Sequence, residues 1–193
     1  MITNSLFQAT YHLKGPLELS GSGLGEVVSN APDGTYVLEY GVVPFYNSPH
    51  NRTNLLTGTN SLVFNGTYSF TDINANGISD AWEQQFLGSV QTQHPPETDT
   101  DGDGFSDLAE FIAGTDPRNA SSSLALEAPI VQPNGTVRLS WGSVSGRGYL
   151  VETSIDLVNW TPISDWQVGT GAPISLTLPP LHGAYMFRLQ VRP

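Results

Sequence analysis

One twelve-residue pattern occurs twice in this chain and constrains it more than any other feature. It runs Asp72-Ile-Asn-Ala-Asn-Gly-Ile-Ser-Asp-Ala-Trp-Glu83 and, 27 residues later, Asp99-Thr-Asp-Gly-Asp-Gly-Phe-Ser-Asp-Leu-Ala-Glu110. Both copies carry oxygen-bearing side chains at positions 1, 3, 5, 9 and 12, and glycine at position 6. Hard divalent cations of calcium's size take six to eight oxygen ligands from a loop of this length. Side chains at positions 1, 3 and 5 converge from one tight turn, and the glycine permits the bend that follows. The position-7 carbonyl (Ile78, Phe105) then points inward, the position-9 acid ligates directly or through water, and the position-12 glutamate closes the site with both oxygens. The expected ligands are Asp72, Asn74, Asn76, Ile78, Asp80 and Glu83 in loop 1, and Asp99, Asp101, Asp103, Phe105, Asp107 and Glu110 in loop 2. Two calcium ions are therefore expected. Magnesium suits the pattern less, because it demands tighter octahedral geometry and gives up water reluctantly.

Charge supports a cation site over a solvated acidic linker. The chain has a net charge of −11, and ten of its eighteen acids lie between Asp72 and Asp116, where there is no lysine or arginine. Such a block repels itself unless cations neutralise it. The loops are unequal. Loop 1 has three carboxylates and two amides, whereas loop 2 has five carboxylates, so loop 2 is expected to bind more tightly.

The surroundings read as β-structure. Ser5–Leu13 alternates with Phe7, Ala9, Tyr11 and Leu13 on one face; Thr35–Tyr40 and Ser61–Phe70 are further strand candidates, and Asn65-Gly66 reads as a hairpin turn. Short helices are expected over Asp80–Leu87 and Asp107–Ala113, each stopped by a glycine (Gly88, Gly114). Beyond residue 120, strands are expected at Val137–Trp141, Gly148–Ser154, Trp160–Trp166, Ile174–Leu178 and Tyr185–Val191. The fold class is thus mainly β: two small β-sandwich domains, 1–70 and 120–193, joined by a calcium-binding loop-helix segment at 71–119.

Much is excluded. With no cysteine there are no disulfides or thiolate metal sites, and calcium is left as the available brace. The histidines (His12, His50, His94, His182) lack zinc spacing and read as surface or turn residues. Gly21-Ser-Gly-Leu-Gly25 lacks the sixth-place glycine of a dinucleotide fingerprint, and no acid/base pair stands outside the loops, so no enzyme is expected. Seven basic residues form no phosphate-binding stripe, which argues against nucleic acid. No apolar run is long enough to span a membrane. The first residues lack the basic start and apolar core of a signal peptide, so export would require this chain to be a mature form or part of a longer one.

The register of the loops separates two kinds of calcium site. Paired EF-hands place the bulky apolar residue at position 8; here it is at position 7, followed by Ser79 or Ser106. This register, with Gly-Phe-Ser-Asp-Leu-Ala-Glu-Phe-Ile-Ala-Gly-Thr-Asp-Pro117, resembles the bacterial thrombospondin type 3 repeat over residues 71–119. The resemblance implies calcium-stabilised struts between domains of extracellular or cell-surface bacterial proteins. Asp116 in its Gly-Thr-Asp-Pro end reads as a turn cap or as an additional ligand, the cap being favoured. Leu139-Ser-Trp141, Tyr149–Trp160 and Leu181–Leu189 resemble a fibronectin type III-like domain, in which Trp141 would sit in the core and Tyr185 would make a tyrosine-corner hydrogen bond. Ala31–Tyr46 with Leu56–Tyr68 is similar to small surface-protein sandwiches of the PEGA or Cna-B-like kind.

The expected role is a non-catalytic structural or adhesive protein in which calcium rigidifies a junction. Its expected partners are copies of itself, other cell-surface proteins or glycan. Two alternatives stand beside it: a self-assembling filament or surface-layer subunit using strand exchange, and a carbohydrate-binding region of a larger secreted enzyme presenting Trp160 and Trp166.

Overall fold

The computed structural model describes residues 1–193 except Gln91 and His182; the surface reading of His182 therefore lies outside the described residues. The fold is mainly β, with four sheets and two short helices among the described residues. The chain divides into two compact units, Met1–Pro96 and Glu97–Pro193, so one loop falls in each.

The first unit contains β1 (Ile2–Asn4), β2 (Thr10–Lys14), β3 (Leu19–Ser22), β4 (Gly25–Glu26), β5 (Gly34–Tyr40), β6 (Arg52–Leu56), β7 (Phe64–Gly66) and helix α1 (Asp80–Phe86). One sheet is antiparallel in the order β3-β2-β5-β6; the other runs β4-β1-β7. Alternation builds the core between them. Tyr11 and Leu13 of β2 and Tyr36 and Leu38 of β5 point inward to meet Ile2 and Phe64 of the second sheet, each of them at most 4% exposed. The face predicted for Ser5–Leu13 is therefore the buried one, although regular pairing begins only at Thr10.

Asn65-Gly66 is not a hairpin turn. Both residues lie in β7, which pairs in parallel with β1 (Ile2 opposite Phe64, Asn4 opposite Gly66). The glycine serves close approach instead, because a Cβ there would collide with the Tyr40 ring. The strand expected over Ser61–Phe70 is correspondingly short.

The second unit contains helix α2 (Asp107–Ala113), β8 (Ile130–Val131), β9 (Val137–Trp141), β10 (Gly148–Ser154), β11 (Thr161–Pro162), β12 (Gln167–Val168), β13 (Ile174–Leu178) and β14 (Met186–Arg192). The order β13-β9-β8 makes one sheet. In the other, β10 carries β14 along one edge and both β11 and β12 along the opposite edge. Between the sheets lie Leu139, Trp141, Tyr149 and Val151, all fully buried, with the Trp141 and Tyr149 rings 6.2 Å apart.

Two aromatic expectations change. Tyr185, expected to make the tyrosine-corner bond, is 37% exposed; the tyrosine seen to tie a turn is Tyr149, whose hydroxyl accepts from Val144 N at 2.7 Å. Trp160–Trp166 is not one strand, since only Thr161–Pro162 pairs there. The two tryptophans lie instead against the outer face of β14. Arg188 stacks on Trp160 at 4.4 Å and Arg192 on Trp166 at 4.6 Å, while Arg188 also pairs with Glu152 at 2.7 Å directly across the strands.

Candidate metal centre

The two acidic loops have the same hydrogen-bond skeleton. The position-1 carboxylate accepts from backbone amides in the turn. Asp72 takes Asn76 N (3.0 Å) and Gly77 N (2.8 Å), and Asp99 takes Gly102 N (2.8 Å) and Gly104 N (2.9 Å). The position-5 side chain accepts from position 7, with Asn76 Oδ1 on Ile78 N and Asp103 Oδ1 on Phe105 N, both at 2.8 Å. The position-9 aspartate accepts from position 2, with Asp80 on Ile73 N and Asp107 on Thr100 N, both at 3.0 Å. These Asx-type turns explain why short polar side chains occur at this spacing: they substitute for the ladder a helix or sheet would provide.

Each loop runs into its helix. Asp80 N and Asp107 N donate back to Thr71 O and Thr98 O, closing each loop as the helix begins. Glu83 and Glu110 then stand one turn inside their helices and are at most 1% exposed. Gly114, at φ 80°, ends α2 in the left-handed conformation, and Gly88, also at φ 80°, follows the end of α1.

A second left-handed position went unread in the sequence. Position 4 is αL in both loops, as Gly102 at φ 78° and Ala75 at φ 57°. The signal was available, because loop 2 places glycine where loop 1 has alanine. An alanine in αL costs about 1–2 kcal/mol, part of which glycine's greater freedom when unfolded offsets. Ala75→Gly is therefore expected to stabilise loop 1 by about 0.5–1 kcal/mol. Calcium titration should show loop 1 affinity rising roughly two- to fivefold.

The loops differ in how the buried glutamate is satisfied. In loop 1 the amides of Asn74 and Asn76 donate to Glu83 at 3.1–3.2 Å. In loop 2 carboxylates replace both amides, and the side-chain donor to Glu110 is the Thr115 hydroxyl at 3.0 Å. Burial pushes the Glu110 carboxyl up to about 7; the Thr115 bond opposes this, and the charges of Asp101, Asp103 and Asp107 add to it. Asp101 Oδ2, Asp103 Oδ2 and Glu110 Oε2 are buried without a hydrogen-bond partner, as is Asp80 Oδ2 in loop 1. Buried carboxylate oxygens in this state are satisfied by a bound cation or by protonation. Asp99, Asp101 and Asp103 each offer a carboxylate oxygen, and the three atoms lie within 4.8 Å of one another. A hard, oxygen-seeking divalent ion fits this donor set.

Residues 99–120 match the bacterial TSP3 repeat. No curated protein and no solved structure matches the chain. The TSP3 match takes in loop 2, α2 and the turn after it, where Asp116 Oδ1 caps Arg118 N at 3.1 Å. TSP3 repeats are calcium-binding structural repeats, and the match takes in the three aspartates that could hold a metal ion. Loop 1 lies outside the match and is related to loop 2 by the shared twelve-residue pattern and by its geometry.

Two anchors invisible in the sequence fasten the loops to their sheets. Ser79 leaves the N-terminus of α1 uncapped and instead donates its hydroxyl to Phe45 O at 2.8 Å, while Ile78 and Trp82 are buried below it. Ser106, its counterpart, caps Ala109 N at 3.3 Å, and α2 is held from its other end by Arg147, which donates to Phe111 O at 3.2 Å. A cation at the carboxyl end of a helix is favourably placed against the helix dipole. No helix is long and apolar enough to cross a membrane among the described residues.

Proposed function

We propose that this is a structural protein of the bacterial cell surface or exterior in which two calcium ions, one per loop, brace two β-domains and stiffen the junction between them. The observation that carries the reading is the repetition of one loop geometry in both units, with buried carboxylate oxygens that lack partners. We assign the ligands as Asp72, Asn74, Asn76, Glu83 and the Ile78 carbonyl in loop 1, and Asp99, Asp101, Asp103, Glu110 and the Phe105 carbonyl in loop 2. Asp80 joins the loop 1 ligands through Oδ2, which is buried without a hydrogen-bond partner, whereas both oxygens of Asp107 accept from Thr100, so Asp107 acts mainly by holding its turn. Three parts follow in sequence: residues 1–70, the calcium segment 71–119, and a fibronectin type III-like sandwich 120–193. The face-to-face pairing of β13-β9-β8 with the sheet of β10 and β14, and the buried Trp141, support the last assignment.

A guanidinium covers one face of Trp160 and of Trp166, so the carbohydrate reading is left with at most the other face of each ring. Calorimetric calcium titration of the whole chain is expected to show two ions, with loop 2 the tighter. Asp101→Asn should weaken one site only. A single ion, or equal loss at both sites, would refute the assignment.

A further inference from the structure

Glycine follows asparagine at three places in the chain: Asn65-Gly66, Asn76-Gly77 and Asn134-Gly135. Such a pair carries its own chemistry. The glycine amide nitrogen can attack the asparagine side-chain carbonyl, and without a Cβ the glycine leaves that approach least hindered. The structure treats the three pairs differently.

Asn65 and Gly66 lie in β7, paired in parallel with β1, and Asn65 Oδ1 accepts from Thr3 Oγ1 at 2.7 Å. Closing a ring there requires the peptide to turn out of the extended strand. Asn76 is 7% exposed; its Oδ1 accepts from Ile78 N and its Nδ2 donates to Glu83 Oε1. Gly77 N donates to Asp72 Oδ2 at 2.8 Å. A carboxylate so placed holds the amide proton and repels the base that would remove it.

Asn134 differs on each count. It is exposed, in the turn between β8 and β9. Its Oδ1 accepts from Thr136 N at 3.1 Å and from Thr136 Oγ1 at 2.7 Å, an Asx turn that folds the side chain over the peptide following it. Gly135, at φ 83°, donates its N–H to the Gln132 carbonyl, a neutral acceptor.

We propose that Asn134 is a modification site that deamidates without an enzyme, assisted by Thr136. Hydroxide removes the Gly135 amide proton, and the nitrogen bonds to Asn134 Cγ. Negative charge develops on Oδ1, where both Thr136 donors already point, as in an oxyanion hole. The Cγ–Nδ2 bond then breaks, and ammonia leaves after its nitrogen takes a proton from water. The resulting succinimide adds one water. Opening at Cγ gives aspartate at 134, and opening at the main-chain carbonyl gives isoaspartate. Nothing is oxidised or reduced, and the turn gains one negative charge. Aspartate can keep both Thr136 bonds. Isoaspartate adds one backbone atom to the turn and shifts β8 against β9, a pairing of only two residues on the β8 side. This inference does not depend on the calcium assignment.

The test is peptide mapping by mass spectrometry of the full chain, held folded at mildly alkaline pH and, in parallel, unfolded in urea. In the folded chain, deamidation at Asn134 should outrun that at Asn65 and Asn76 about tenfold or more, whereas in urea the three should converge. Thr136→Val removes the hydroxyl donor and keeps the backbone one, and should slow Asn134 about two- to tenfold. The comparison among sites uses the wild-type chain alone, so it stands whether or not the variant folds. Equal rates at the three sites of the folded chain would overturn the proposal. So would the same ranking in urea, or a folded Thr136→Val chain that deamidates at 134 as fast as wild type or faster.

Discussion

Chelating calcium with EDTA is expected to lower the melting temperature of both units and to open residues 71–119 to protease. A ligand present at a hundred times its dissociation constant stabilises the folded state by about 2.7 kcal/mol. For units of this size that corresponds to roughly 10–20 °C. The loops are where the loss concentrates. Without a cation, five carboxylates of loop 2 share one turn, and the hydrogen bonds they make are mostly to backbone amides of that same turn. Loop 2 is expected to be cleaved first, since loop 1 has amide donors on its buried glutamate. Melting and proteolysis unchanged by EDTA would remove calcium from the structural account.

Glu110→Gln is expected to separate calcium binding from folding. With calcium present the variant loses about a hundredfold or more in loop 2 affinity, because the closing carboxylate becomes a neutral amide. Without calcium it should melt no lower than wild type near pH 8, since an uncompensated buried charge has been removed. The sign follows from linkage. The folded carboxyl titrates at about 7, above its ordinary value of 4.5. In the calcium-free protein, Glu110 thus contributes stability below its unfolded value and loses that contribution as pH rises to about 7. Calcium requires the ionised form, so loop 2 affinity should fall as pH drops below about 7. Scanning calorimetry from pH 5 to pH 8, with and without calcium, reads both effects. Equal destabilisation of Glu110→Gln in both conditions would show that Glu110 serves the fold alone.

What the sequence made legible follows from where information is local. The loops, the helix starting at Asp107 and the strands Val137–Trp141, Gly148–Ser154 and Ile174–Leu178 depend on spacing and alternation, and the structure has them at those residues. Misreadings occurred where a distant neighbour decides. Asn65-Gly66 has the composition of a turn, but the Tyr40 ring needs the missing side chain and β1 supplies the pairing. The pattern pointed to Tyr185 as the corner tyrosine, and only the tertiary structure shows the buried Tyr149 tying the turn at Val144. Ser79 and Ser106 look identical in sequence, yet one reaches back to Phe45 and the other caps its own helix. Arg147 offered no local sign of holding α2, because its partner is 36 residues away.

The parallel pairing of β1 with β7 has a mechanical consequence. Chain enters the first unit through β1 and leaves its sheets through β7, and the two strands run side by side in the same direction. Tension between the ends of that unit pulls them oppositely along their length, so their shared hydrogen bonds are loaded together in shear. An antiparallel terminal pair would instead peel open one bond at a time. Loop 1 follows β7 directly along the backbone and carries the same tension in series. Such a pull would thus meet its resistance at Ile2–Asn4 and at loop 1 beyond it.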